Sequence, residues 1–202
     1  PFTREGKKTA ALEIAEQLDW QAPDKVIVSV GDGNIISGLW KGFRDLQALG
    51  LVDRVPQLIG VQSETASAIV DAVNGDGIVR ERPAHTIADS INVGKPRDAT
   101  AAIHAIKDSG GLGVTVSDDE IIRAISGLAR ATGVFAEPAA AAAFAGFKAM
   151  CAGGLLKPDE TVLLMLTGNG LKDVEAARNA VGKPVRVRPD MDEVSRLLES
   201  ER

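Results

Sequence analysis

The residues best placed to do chemistry are Gly31, Asp32, Gly33 and Asn34, which break the apolar run Lys25-Val-Ile-Val-Ser-Val30 and open a helical pattern. Two glycines at such a turn let the backbone come close to a ligand and take φ values closed to other residues. Successive N–H groups then converge on an anion, and the positive end of the following helix points at the same place. A second turn of this kind, Thr167-Gly-Asn-Gly170, follows the apolar run Thr161 to Leu166. In open α/β sheets ligands sit outside the carboxyl ends of the strands, so both turns are expected to border one crevice. The competing reading of the first turn is an ordinary strand-to-helix connection.

Several chemistries are excluded by spacing. A dinucleotide fingerprint needs a third glycine where Ile36 stands. Gly6-Lys7-Lys8-Thr9 has Walker-like letters but neither the preceding strand nor the preceding glycine. His85 and His104 are the two histidines, and neither stands at metal spacing with Cys151, so no metal site is expected. Gly-x-Ser-x-Gly is absent, and Cys151 reads as an inert core residue near a helix end.

The elements that must position these turns alternate between strands and helices. Strands are expected at Val26–Val30, Gln57–Gln62, Gly113–Val116 and Thr161–Leu166. Helices are expected at Lys8–Leu18, Ile35–Leu49, Glu64–Val73, Ala99–Lys107, from Ser117 to about Thr132, from Glu137 to Gly153, and Lys172–Val181. Ser117-Asp-Asp-Glu120 is a capping box, and Pro138 suits the first helical turn. This order implies a three-layer αβα fold of α/β class with a mostly parallel sheet. Residues 1–188 form the α/β domain, incomplete at its N-terminal side, and residues 189–202 form a charged amphipathic helical tail.

The 202 residues carry 45% hydrophobic and 25% charged side chains, an ordinary globular balance. A net charge of −5 with scattered basic residues argues against nucleic acid. A single cysteine forms no internal disulfide, which fits a reducing cytoplasm. No apolar run approaches the roughly 18 residues of a membrane helix. The chain begins without Met and enters a helical pattern at once, so residues upstream of Pro1 are expected.

Taken together, Glu5-Gly-Lys-Lys-Thr-Ala-Ala-Leu-Glu-Ile14, Val30-Gly-Asp-Gly-Asn-Ile-Ile-Ser-Gly38, Trp40-Lys-Gly-Phe43, Gly133-Val-Phe-Ala-Glu-Pro-Ala139 and Leu166-Thr-Gly-Asn-Gly-Leu-Lys-Asp173 resemble the C-terminal part of the threonine synthase family. These are tryptophan-synthase-β-like, fold type II enzymes that use pyridoxal 5′-phosphate. The resemblance implies that Gly31, Asp32, Gly33 and Asn34 hold the cofactor phosphate. It implies that the Thr167 hydroxyl meets the pyridine nitrogen, where a neutral partner moderates ring electron withdrawal; a Thr that caps the next helix is the alternative. Asp32 beside a phosphate is repulsive, so it is expected to point away or to pair with a cation such as Lys41.

Glu137 is placed near the ring, although capping and the helix dipole alone account for a carboxylate there. Asn169 shapes the second turn, either as a left-handed residue or as a contact. Ser90, in Ala88-Asp-Ser-Ile91, approaches the cofactor. Arg97, in Lys95-Pro-Arg97, meets an anionic substrate or is simply solvated.

The Schiff-base lysine of such enzymes lies upstream of everything present here, and neither Lys7 nor Lys8 is assigned to that role. The implied reaction converts O-phospho-L-homoserine and water to L-threonine and phosphate, in a cytoplasmic homodimer acting on a small amino-acid substrate. A threonine or serine dehydratase, or another lyase or synthase of the same superfamily, is the first alternative. The second is a non-catalytic α/β module for phosphate-bearing metabolites. By itself this segment is expected to be inactive.

Overall fold

The computed structural model describes residues 2–181 and 183–200. Among these residues four strands, β1 (Lys25–Ser29), β2 (Gln57–Ser63), β3 (Gly113–Val116) and β4 (Val162–Met165), form one parallel sheet in the order β3-β2-β1-β4. Parallel strands need crossovers, and the helices that supply them cover both faces. The helices are α1 (Phe2–Lys7), α2 (Thr9–Gln17), α3 (Asn34–Ala48), α4 (Ala68–Asn74), α5 (Ala99–Asp108), α6 (Asp118–Thr132), α7 (Pro138–Ala152), α8 (Val174–Val181) and α9 (Met191–Ser200).

Side chains alternate across the sheet as period two requires. Val26, Val28, Val30 and Leu58 pack with α2, α3, α4 and α5 on one face. Ile27, Ile59, Val61 and Val116 pack with α6, α7 and α8 on the other. The alanine run 139–143 is fully buried, which lets α7 lie close to the sheet. At Gly146 an added Cβ would stand 2.4 Å from Val61 Cγ2, so only glycine permits this approach.

The strand order contains the feature that positions the site. From β1 the chain proceeds to β2 and β3 on one side, then returns through α6 and α7 to β4 on the other side of β1. The connections leaving β1 and arriving at β4 therefore diverge onto opposite faces, opening a crevice at the carboxyl ends of these two strands.

The expected elements are present, with local corrections. The helix expected from Glu64 to Val73 is split: Glu64–Ala66 is a 3₁₀ turn and α4 starts at Ala68. Gln62 explains the break. Its side chain is fully buried, its Oε1 accepts from the N–H groups of Ile69 and Val70 at 3.0 and 2.9 Å, and its Nε2 donates to the Val30 carbonyl at 3.0 Å. A strand residue thus caps α4 and ties it to the end of β1. An additional helix, α1, precedes the first one expected. Cys151 is exposed at the end of α7 rather than in the core.

The Ser117–Glu120 capping box is complete: Ser117 Oγ accepts from the Glu120 N–H, and Glu120 accepts from the Ser117 N–H at 2.7 Å. The Ser117 N–H, and after it the Ser117 hydroxyl, hold the Glu120 carboxyl below its ordinary range. A depressed carboxylate contributes stability above its unfolded pKa and loses it as pH falls through the folded value. Ser117→Ala is expected to cost about 1 kcal/mol. Glu120→Gln should flatten the acid side of the stability profile, read from denaturant midpoints between neutral pH and acid.

Candidate cofactor site

At the carboxyl ends of β1 and β4 lies a cavity of about 310 Å³. Ser29 to Ile36 form its floor, Thr167 and Glu137 one side, Ser90 and Ile91 another, and Lys7 and Lys172 its cationic rim. The two turns singled out from the sequence therefore border one crevice.

Gly33 is the N-cap of α3 at φ +95°, the left-handed region that favours glycine. An added Cβ there would meet Ala102 Cβ at 2.7 Å and the Asp98 carbonyl at 3.0 Å. At Gly31 it would meet the Ser90 carbonyl at 2.9 Å, so this glycine lets the Ser90–Ile91 segment close over the turn. The N–H groups of Gly33, Asn34, Ile35 and Ile36 make no hydrogen bond to the described residues. With the α3 dipole behind them they make a cup of free donors, an arrangement that suits an anion.

The cup is braced from behind. Asp98, just before α5, accepts from Arg4 Nε at 3.2 Å and from Ser37 Oγ at 2.5 Å, which joins α1, α3 and α5. Asp32 joins this brace. Its carboxylate accepts from the Arg97 N–H at 2.9 Å and its carbonyl from the Asp98 N–H at 3.0 Å. The pairing with Lys41 does not occur, because Lys41 is held by Glu5. A short Asp side chain reaches the adjacent backbone donor, while Lys41, two turns along α3, faces α1 instead.

Each remaining candidate has a definite place. Thr167 lines the cavity, and its hydroxyl has no hydrogen-bond partner among the described residues. It does not cap the following turn. That role belongs to Asn169, whose Oδ1 accepts from the Leu171 N–H at 2.9 Å. Asn169 has φ −80°, so the left-handed conformation considered for it is not adopted, and it does not line the cavity.

Glu137 lines the cavity and is 5% exposed. It is the N-cap of α7 by position but makes no capping bond; its carboxylate is paired with Lys172 Nζ at 2.8 Å. Arg97 stands apart, in the wall of a cavity of about 620 Å³ between α1, α3 and α5 that also contains Trp40 and Arg44. Its side chain is not brought to the crevice.

Lys7 and Lys172 complete the rim, and Lys172 is the one that sequence reasoning did not place. Lys7 ends α1 at the rim and has no carboxylate partner among the described residues, so its charge is available to an anion in the cup. Gly38 makes this possible: an added Cβ would lie 2.7 Å from Lys7 Cβ, so the end of α1 rests directly on α3. Lys8, the neighbouring lysine, faces away and is held by Glu5 and Asp45.

The donor set fits pyridoxal 5′-phosphate. A backbone anion cup with a free lysine suits its phosphate, and an unpartnered hydroxyl across the crevice suits a ring nitrogen. The volume lies at the small end for ligand pockets. No group of three or more His, Cys, Asp or Glu residues is arranged for a metal among the described residues. Among them, no helix is long and apolar enough to cross a membrane.

The solved structures that resemble this chain carry the same fold. Threonine deaminase isoform 2 of Solanum lycopersicum matches with TM-score 0.70 and 22% identity over 89% of this chain and 50% of that one. An L-serine ammonia-lyase of Rhizomucor miehei matches with TM-score 0.71 and 21% identity over 87% and 56%. Curated relatives are closer in sequence. The threonine synthase of Methanocaldococcus jannaschii is 42% identical over 98% of this chain and 49% of its own length. That of Methanosarcina acetivorans is 38% identical over the same shares. The chain therefore spans about half the length of these curated relatives. The family model described as pyridoxal-phosphate dependent enzyme matches residues 1–168, the span from α1 to Gly168 that contains both the cup and Thr167. This chain belongs to the pyridoxal-phosphate dependent enzyme family.

Proposed function

We propose that the chain is the part of a threonine synthase that holds the cofactor's phosphate and addresses its ring nitrogen. The whole enzyme converts O-phospho-L-homoserine and water to L-threonine and phosphate. The observation that carries this reading is 42% identity to a threonine synthase across 98% of the chain. The apolar residues Val162 to Met165 of β4, only half-buried at an edge with no further strand among the described residues, support a longer chain around this domain.

Bound at the crevice, pyridoxal phosphate supplies an electron sink for charge developing on the amino acid's carbons. The residues of this chain hold and orient. The N–H groups from Gly33 to Ile36 take the phosphate, with the charge of Lys7 beside them. Gly31 admits the Ser90 segment as a wall. The Thr167 hydroxyl donates to the ring nitrogen or accepts from it without enforcing its protonation. The Schiff-base lysine and the groups that read the substrate's carboxylate come from residues preceding Pro1, so residues 1–202 expressed alone give no turnover. The same reading carries a cytoplasmic homodimer that binds neither nucleic acid nor membrane.

The competing reading is a threonine or serine dehydratase, favoured by the structural neighbours named for those activities. The enzyme as its gene encodes it is expected to release inorganic phosphate from O-phospho-L-homoserine. Formation of a 2-oxo acid from threonine without that release would select the dehydratase. No reaction with either substrate, together with no retention of pyridoxal phosphate, would leave a non-catalytic module.

A further inference from the structure

Lys172 stands where the mechanism above makes no use of it. Its side chain is 58% exposed, yet its ammonium bonds the buried Glu137 carboxylate at 2.8 Å to Oε2 and 3.0 Å to Oε1, with Ser90 Oγ at 3.5 Å. Three segments of the cavity wall thus meet at one amine: the turn after β4, the start of α7, and the segment that covers Gly31.

The position of Glu137 is fixed by backbone. Its N–H donates to the Gly168 carbonyl at 3.1 Å, and the Gly170 N–H donates to the Phe135 carbonyl at 3.0 Å. Ala136 and Asn169 form an antiparallel bridge between these two bonds. The carboxylate is laid against Gly168, where an added Cβ would fall 1.9 Å from Oε1. A carboxylate is thereby held beside the residue that follows Thr167, in a cavity whose other end is an anion cup. Lys172 is its only hydrogen-bonding partner through the side chain among the described residues.

Left uncompensated, that carboxylate has two consequences. Its negative charge opposes the binding of a phosphate-bearing cofactor in the same small cavity, where the effective dielectric is low. It also competes with Thr167 for a ring nitrogen, since a carboxylate favours the protonated ring and a hydroxyl does not. Lys172 removes both. Because the ammonium is largely solvated, it meets this need without itself having to be buried.

We propose that Lys172 is a positioning residue of the cofactor site, acting through Glu137. It neutralises and orients the Glu137 carboxylate so that the cavity accepts an anionic cofactor and Thr167 remains the group that addresses the ring. This inference rests on the cavity being the pyridoxal phosphate site, and it does not depend on which amino acid the enzyme converts.

The test is a charge-balanced mutant cycle on the enzyme as its gene encodes it. Pyridoxal phosphate is removed and titrated back, with binding followed by protein fluorescence and by cofactor absorbance. Lys172→Gln is expected to weaken binding at least tenfold, whereas Lys172→Arg stays within about threefold of wild type. Glu137→Gln, which removes the charge, is also expected within about threefold. The double variant Glu137→Gln/Lys172→Gln should return to within about threefold of wild type, because the charge that needed a partner is gone.

A lysine that merely holds the fold together would give no such rescue. The inference is overturned if Lys172→Gln binds the cofactor as wild type does, or if the double variant is as weak as Lys172→Gln. Wild type that binds no pyridoxal phosphate overturns it together with the functional reading. Wild type that binds the cofactor but releases no phosphate from O-phospho-L-homoserine sinks the threonine synthase reading alone.

Discussion

Gly33→Ala is expected to strip the enzyme of its cofactor while leaving a folded but weakened protein. Two costs fall on the same atom. The φ of +95° is one that L residues rarely adopt, at about 1–2 kcal/mol. The new Cβ would also stand 2.7 Å from Ala102 Cβ and 3.0 Å from the Asp98 carbonyl, an overlap of the kind that costs about 1–3 kcal/mol.

Neither neighbour is free to yield. Ala102 is buried in α5, and Asp98 is held by Arg4 and Ser37. The strain is relieved only by moving the turn, and moving the turn misaligns the N–H groups of the cup. We expect cofactor affinity to fall about a hundredfold, since some 2.7 kcal/mol of lost alignment corresponds to that factor. Gly50→Ala provides the control: it has φ +70° with open space around it, so it pays the backbone cost alone and should leave cofactor binding unchanged. Equal loss of cofactor in both variants would mean that general destabilisation, not the cup, is responsible.

The second large effect is expected at Gly168. Alanine there would place its Cβ 1.9 Å from Glu137 Oε1, 2.4 Å from Cδ and 3.0 Å from Cγ. The whole carboxylate must leave, and its pairing with Lys172 goes with it. Breaking a buried ion pair from one side costs about 3–5 kcal/mol, and the low end applies here because Lys172 is mostly solvated. Gly168 also adjoins Thr167, so the displaced carboxylate disturbs the residue proposed to meet the ring. Gly168→Ala is expected to lose turnover and most cofactor binding. Gly168→Ala/Glu137→Ala should recover the thermal midpoint, because the overlapping side chain is gone. A double variant no more stable than the single one would show that the strain lies elsewhere.

What the sequence revealed and what it hid divide along distance in the chain. The β-branched runs, the capping box at Ser117 and Glu120, and the glycine-opened start of α3 are local signals, and each element stands within a residue or two of its expected place. The convergence of the turns at Gly31 and Thr167 followed from the rule that parallel sheets bind ligands at strand carboxyl ends. The role suggested for Thr167 needed the family resemblance, since a lone threonine after a strand says nothing of a ring.

The polar connections were hidden because their partners are far apart in sequence. Asp32 was expected to point away or to pair with a cation such as Lys41, and it meets the Arg97 N–H, 65 residues away. Glu137, expected near the ring with helix capping as the alternative, meets Lys172, 35 residues away, a partner no local signal pointed to. Gln62 reads as one more strand residue, yet its amide both splits the expected helix and ties α4 to β1. No periodicity encodes such pairs. The fold brings them together only after the sheet has formed.

The central claim is that these residues form the phosphate cup and ring-facing wall of a pyridoxal phosphate site whose covalent lysine lies elsewhere in the enzyme. Borohydride reduction of the enzyme as its gene encodes it, followed by mass spectrometry of its peptides, tests this most directly. The account predicts one pyridoxyl-modified lysine in a segment preceding Pro1 and none within residues 1–202. A label on Lys7, on Lys172 or on any other lysine of this chain would contradict it.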